Sequence, residues 1–293
     1  MAIKNIAYAE GGDRVNMRIA VATANFYFIP FEETLEIIAS AGFQNIELDL
    51  FWEWNQWNMA QHLRDIPVSQ AIQAVHRSGL KVTSIHDGGG VLTDPNTTAA
   101  YINPKLDEYL DQLGYAPEYM VFHPPHAEGN LDGDWWHDIS GKILRVLKPY
   151  RTCCNYLTLE NMPFFEGFTV PLTTPEELHA FACENKLGVN LDTTHYAQIG
   201  VNLLEAARIL KDKIHSVHLS DYIAGRAHVF VGEGELDLPG FLSLLDPEVF
   251  NMVTLECSIS SVNRSDREMD HGEMVNRMKL LRARVESLTI GES

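Results

Sequence analysis

Six polar side chains close six short apolar runs in turn: His86 in KVTSIH, His123 in YMVFH, Glu160 in YLTLE, Asp192 in LGVNLD, His218 in IHSVHL and Glu256 in MVTLE. Carboxylates and imidazoles are the hard and borderline ligands that hold Mn, Zn, Mg or Co ions. A single carboxylate at the end of a strand reads as a salt bridge or a helix cap. Glu160, Asp192, His218 and Glu256 at equivalent positions on four strands read instead as one metal centre. His195, in LDTTH, can reach the same place through the turn after Asp192, and His228 precedes the glycine-rich VGEGELD. His86 and His123 head the Gly- and Pro-rich loops HDGGG and HPPH, which suits either ligands or substrate contacts. His62, His76, His126, His137, His179, His215 and His271 read as structural.

The elements that would position these residues alternate regularly. An apolar run bounded by turn signals is a buried parallel strand. MRIAVA (17–22) and NIELDL (45–50) are the first two strands, and the six runs above supply the rest. Between them the pattern predicts helices at 31–42, 69–79, 97–113, 134–152, 173–188, 202–210 and 239–245, with a last helix from about 265. Gly42 and Gly79 are stop signals, and TTPEELHAF opens with a Thr cap, Pro in the first turn and acids behind it. Eight strand–helix units without an internal repeat predict a single-domain (β/α)8 TIM barrel over 17–293, with an N-terminal extension at 1–16. No G-x-G-x-x-G follows the first strand to favour a doubly wound sheet. The long loops all follow strands, which places them on the catalytic face.

Composition narrows the partners. The chain has 293 residues, 45% of them hydrophobic, and a net charge of −18. So acidic a surface disfavours phosphate backbones, so no nucleic acid is expected. No stretch approaches the roughly 18 apolar residues of a membrane span, and the N-terminus has no continuous apolar core of a secretory signal. Cys153, Cys154, Cys183 and Cys257 have no C-x-x-C spacing and read as reduced thiols of a cytoplasmic protein. Cys257 reads as a core residue facing away from Glu256.

VFHPPH, LTLENMP, LGVNLDTTHYAQIG, VHLSDY with the later H-x-x-x-G-x-G, and LEC together resemble the xylose isomerase-like barrel superfamily, over roughly residues 17–280. It contains sugar epimerases and isomerases as well as the endonuclease IV type of nuclease (AP endonuclease family 2). The resemblance to ketose 3-epimerases implies one divalent metal held by Glu160, Asp192, His218 and Glu256, with a small sugar or polyol as substrate. It implies proton transfer next to a carbonyl through an enediolate, with Glu160 and Glu256 as the catalytic pair on opposite sides of the carbon. The nuclease-like branch implies further zinc ligands at His86, His123, His195 and His228, hence a second metal site. It also needs an Asp two residues before His228. Arg226 stands there; a cation cannot ligate zinc, and it suits an anionic or hydroxyl-rich substrate. FWEWNQWN (51–58) is aromatic and acidic rather than basic. Trp52, Trp54 or Trp57 is expected as a lid on a sugar ring, with Trp135 and Trp136 on the same rim, and a Trp-rich rim suits a homo-oligomer. Isomerisation or epimerisation is the first expectation. A dehydratase on the same scaffold and a zinc phosphodiesterase are the alternatives, and a non-enzymatic metal-binding domain comes last, since no appended module is visible.

Overall fold

In β1 (Arg18–Ala22), β2 (Asn45–Asp49), β3 (Lys81–His86), β4 (Tyr119–Phe122), β5 (Tyr156–Glu160), β6 (Gly188–Asp192), β7 (Ile214–Leu219) and β8 (Met252–Leu255), alternate side chains face opposite ways. In this computed structural model the eight strands form a closed parallel barrel, each paired with its sequence neighbours and β1 with β8. The (β/α)8 expectation therefore holds. The structure describes residues 17–50, 63, 66–88, 90–92, 94–98, 101–246, 248–260 and 265–289, without the side chains of Val91 and Thr289. The extension at 1–16 and the tryptophans of 51–58 lie outside the described residues.

The inward faces are layered. At the floor, Ala20, Tyr119 and Met252 form a small apolar cluster. Above it the same faces carry Ser84, Thr158, Asn190, Ser216 and Thr254, all buried. Two residues further along each strand come His86, Glu160, Asp192, His218 and Glu256. The period of two that puts Met252 in the floor thus puts Glu256 at the mouth.

The outward faces build the main core with the helices: α1 (Phe31–Ser40), α2 (Val68–Ser78), α3 (Leu106–Leu113), α4 (Gly133–Leu147), α5 (Pro175–Asn185), α6 (Thr193–Gln198), α7 (Leu203–Leu210), α8 (Leu238–Ser243) and α9 (His271–Thr289). α1 buries Phe31, Leu35, Ile37 and Ile38, a helical spacing that lays one stripe on the barrel. Each such side chain contributes about 1.5–3 kcal/mol when fully buried. Gly42 and Gly79 follow α1 and α2 at φ 88° and 74°, the left-handed turn that glycine takes without strain. α5 starts with the capping box Thr174–Glu177.

Two expectations are corrected. The helix expected at 97–113 begins only at Leu106. Pro104 disfavours helical backbone at Asn103, whose side chain instead donates to the Leu50 carbonyl at 2.6 Å. The turn after β6 is a helix, α6, whose cap is Asp192. Trp136 packs on Phe181 of α5 with ring centroids 5.1 Å apart, and Trp135 donates to the Pro95 carbonyl in the loop after β3.

Candidate metal centre and catalytic site

Glu160, Asp192, His218 and Glu256 each offer a ligand atom, and these atoms all lie within 4.8 Å of one another. Glu160 ends β5, Asp192 ends β6, His218 is the penultimate residue of β7 and Glu256 follows β8. His218 Nδ1 is 2.7 Å from Glu256 Oε2 and 3.2 Å from Glu160 Oε2. Asp192 spends one oxygen on structure: Oδ1 accepts from the Thr194 and His195 backbone N–H groups and from the Thr194 hydroxyl. Its Oδ2 is buried without a hydrogen-bond partner, as are both ring nitrogens of His218 and Oε2 of Glu256. Buried polar atoms left unsatisfied cost about 1–3 kcal/mol each. Of these, Asp192 Oδ2, His218 Nδ1 and Glu256 Oε2 turn toward one another, as they would around a cation, so the residues present fit a divalent metal ion.

The sequence-predicted companions also gather here. His86 Nε2 and His123 Nε2 are 2.9 Å apart, and both approach Glu160 Oε2, at 3.3 and 3.6 Å. His195 Nδ1 lies 2.8 Å from the Asn161 carbonyl and 3.2 Å from Glu160 Oε1. His228 stacks edge-on to His195 at 5.3 Å, with φ at 52°, unusual for a residue with a side chain. Asp192, His195 and His228 form a second group able to hold an ion, and His86, His123 and Glu160 a third. Arg226 sits exposed on the hairpin Asp221–Ile223/Arg226–Val229. His126, expected to be structural, is buried against Phe165 and Phe168.

Two site residues escaped the sequence reading, Glu47 and Asp49. They occupy alternate positions of β2 and are 1% and 0% exposed, inside the barrel. Asp49 Oδ2 accepts from the Thr23 hydroxyl and the Ala24 N–H, and Asp49 Oδ1 lies 3.4 Å from His86 Nδ1. Glu47 Oε1 lies 2.8 Å from His218 Nε2. The signal was present in NIELDL, where two acids alternate inside an otherwise apolar strand. In a barrel that alternation means two carboxylates facing the lumen.

The carboxylates of Glu47, Asp49, Glu160 and Asp192, all buried, and of the partly exposed Glu256 set the electrostatics. Burial alone would lower the His218 imidazole, but Glu47, Glu160 and Glu256 outweigh it and hold it well above the ordinary value. Burial likewise opposes the charged form of His86, which Asp49 and Glu160 bring up to about 9. Glu256 would rise on burial, yet His218 holds it down to about 2. Asp49 is pushed up to about 6 by burial. Without a metal, then, protons on imidazoles supply the positive charge that the carboxylates require.

Asp87, beside His86, is 1% exposed, and burial lifts it to about 7 although both its oxygens accept from the Asn103 N–H. A folded-state value above the unfolded one means stability that is complete below pH ~4 and is lost as pH rises through 7. Asp87→Asn keeps an acceptor and carries no charge. It is expected to raise the melting temperature at pH 8 but not at pH 4, and at about 1.4 kcal/mol per pH unit the gain reaches at most about 4 kcal/mol. Thermal melts at the two pH values test this; equal shifts at both would sink it.

Asp221, in VHLSDY, holds the loop that follows. Its carboxylate accepts from the backbone N–H groups of Tyr222, Gly232, Gly234 and Leu236. At Gly234 a side chain would run into Asp221, so glycine is required for that approach. Asp221→Ala strands several N–H groups at once and is expected to cost about 3–5 kcal/mol. Denaturant unfolding checks the loss, and a value under 1 kcal/mol contradicts the anchoring role.

All four cysteines are free, and burial pushes the Cys257 thiol up to about 12, which makes it a core residue rather than a nucleophile. Among the described residues no helix is long and apolar enough to cross a membrane.

A family model for the xylose isomerase-like TIM barrel matches residues 35–281. No curated protein matches the chain. Among solved structures, a D-tagatose 3-epimerase-like protein superposes with TM-score 0.66 at 19% identity, over 94% of this chain and 99% of the other. An L-ribulose 3-epimerase gives 0.66 at 18%, over 94% and 95%. A D-psicose 3-epimerase from Clostridium cellulolyticum H10, solved with D-tagatose, gives 0.66 at 14%, over 93% and 99%. At these identities the likeness is one of fold.

Proposed function

The chain belongs to the xylose isomerase-like TIM barrel family, and on that premise we propose that it is a divalent-metal-dependent sugar isomerase or epimerase. The observation that carries this reading is the convergence of Glu160, Asp192, His218 and Glu256 within 4.8 Å, with buried atoms of Asp192, His218 and Glu256 that find no hydrogen-bond partner in the protein. Asp192 and His218 would hold the ion together with the two glutamates, whose carboxylates also supply the bases. A divalent ion at this position would polarise a substrate carbonyl and so acidify the neighbouring C–H bond. Glu160 and Glu256 come from β5 and from the end of β8. One removes the proton, leaving an enediolate, and the other returns a proton from the opposite face. The site favours the ionised form of both, since His218 holds each carboxyl below its ordinary range. His195 and Arg226 position substrate oxygens.

The test is incubation in D₂O with a panel of ketoses, aldoses and cyclic ketones, reading deuterium at the carbon next to the carbonyl. Exchange with a sugar supports the reading. Absence of exchange throughout, together with nicking of DNA at abasic sites, overturns it. The groups His86/His123/Glu160 and Asp192/His195/His228 favour a second reading with more than one ion. Zinc phosphodiesterase chemistry of the three-ion kind would need a ligand where Arg226 stands, so metal analysis should find one or two ions per chain rather than three.

A further inference from the structure

A carboxylate inside a barrel needs a reason to be there. Glu47 is 1% exposed, and the Ser84 hydroxyl donates to its Oε2 at 2.5 Å. Its other oxygen, Oε1, has no hydrogen-bond partner and points between two imidazoles: 2.8 Å from His218 Nε2 and 3.8 Å from His86 Nδ1. His218 therefore has two differently occupied edges. Nδ1 faces Glu160 and Glu256, where the ion would sit, and Nε2 faces Glu47. An imidazole can present a lone pair on one nitrogen only if the proton is on the other, and the group facing the protonated nitrogen decides which is which. We propose that Glu47 is the positioning residue of the metal centre: it takes the Nε2 proton of His218 in a hydrogen bond and so commits the Nδ1 lone pair to the ion. The proposal rests on the metal-dependent reading above.

The Glu47–His218 approach is short but not aligned as a hydrogen bond, and bonds of this kind often align only when the site is filled. Glu47 itself is braced from behind by Ser84, on the strand next to its own. The chain Ser84, Glu47, His218 runs across the barrel lumen from β3 and β2 to β7, so the orientation of one ligand is set by strands that bear none of the four-residue metal set. Asp49, two residues on, faces His86 Nδ1 in the same manner.

The experiment measures the dissociation constant for Mn²⁺ and Zn²⁺ by competition with a chromophoric chelator, in wild type, Glu47→Ala and Glu47→Gln. Glu47→Ala is expected to weaken binding 10–100-fold, the usual cost of an outer-shell partner. Glu47→Gln, which keeps an acceptor but no charge, is expected to fall between the two; being nearly isosteric, it carries the test if the alanine variant does not fold. In the zinc-loaded wild type, ¹H–¹⁵N spectra of the imidazoles should show His218 protonated at Nε2. A purely structural role would lower the melting temperature of the metal-free protein and leave the dissociation constants within twofold, which overturns the proposal. So does loss of one whole ion with unchanged affinity for the other, since Glu47 would then be a ligand, and so does His218 protonated at Nδ1. If wild type binds no divalent ion, the metal-dependent reading itself fails. If wild type binds and the variants bind equally, only the role of Glu47 fails.

Discussion

Glu160→Gln and Glu256→Gln are each expected to lower kcat/KM for epimerisation by about a thousandfold or more, equivalent to about 4 kcal/mol of transition-state stabilisation. Gln preserves the volume and one oxygen donor, so the ion can stay, but it can neither take nor return a proton. The two variants should differ in what remains. A centre with two bases on opposite faces attacks one epimer with one glutamate and the other epimer with its partner. A variant missing one base therefore still exchanges the α-proton of the epimer that faces the remaining base. It does so without inversion, because the returning proton comes from the same side. Each variant should wash deuterium into one epimer only, and the two variants into opposite epimers. NMR in D₂O reads the loss of the C–H signal directly, with metal content measured alongside. Equal loss of exchange for both epimers in both variants would mean that the glutamates serve the ion alone.

How much of this was legible in the sequence follows from the periodicities. The eight strands could be read because buried parallel strands are short apolar runs, and in six of them one polar residue at the exit breaks the run visibly. Glu160, Asp192 and His218 could be placed that way, and Glu256 with them. Helix ends were legible where a local device fixes them, as at Gly42, Gly79 and Thr174. The start of α3 was not, because the helical spacing of 97–113 says nothing of the contact between Asn103 and Leu50 some fifty residues earlier. Glu47 and Asp49 were missed for a related reason. Glu47 lies inside the second strand and Asp49 is followed by the apolar Leu50, so neither breaks the run at its exit, and their meaning depends on His86 of the paired strand and on His218, which only barrel closure brings near. Asp221 reads as an ordinary polar residue until the glycines of VGEGEL fold back onto it.

Removing the ion is expected to have the second large effect, with a pH dependence whose sign the site determines. Chelation should abolish turnover and lower the melting temperature. An ion present at a hundred times its dissociation constant contributes about 2.7 kcal/mol, which for a domain of this size is about 4 °C. In the metal-free protein His218 is held well above its ordinary value, so it carries a proton at neutral pH that must leave before Nδ1 can ligate. Metal affinity should therefore rise with pH across 6–8, by up to about tenfold per unit for each proton displaced. Glu160 and Glu256 add nothing to this slope, being already ionised there. The metal-free fold behaves oppositely. A raised imidazole value gives stability that is complete below its unfolded value and is lost as pH climbs through the folded one. The gap in melting temperature between loaded and metal-free protein should accordingly widen from pH 6 to pH 8. Calorimetric titration in buffers of different ionisation enthalpy counts the released protons, and at least one per ion is expected. A gap and an affinity that stay flat over this range would remove His218 from the ligand set.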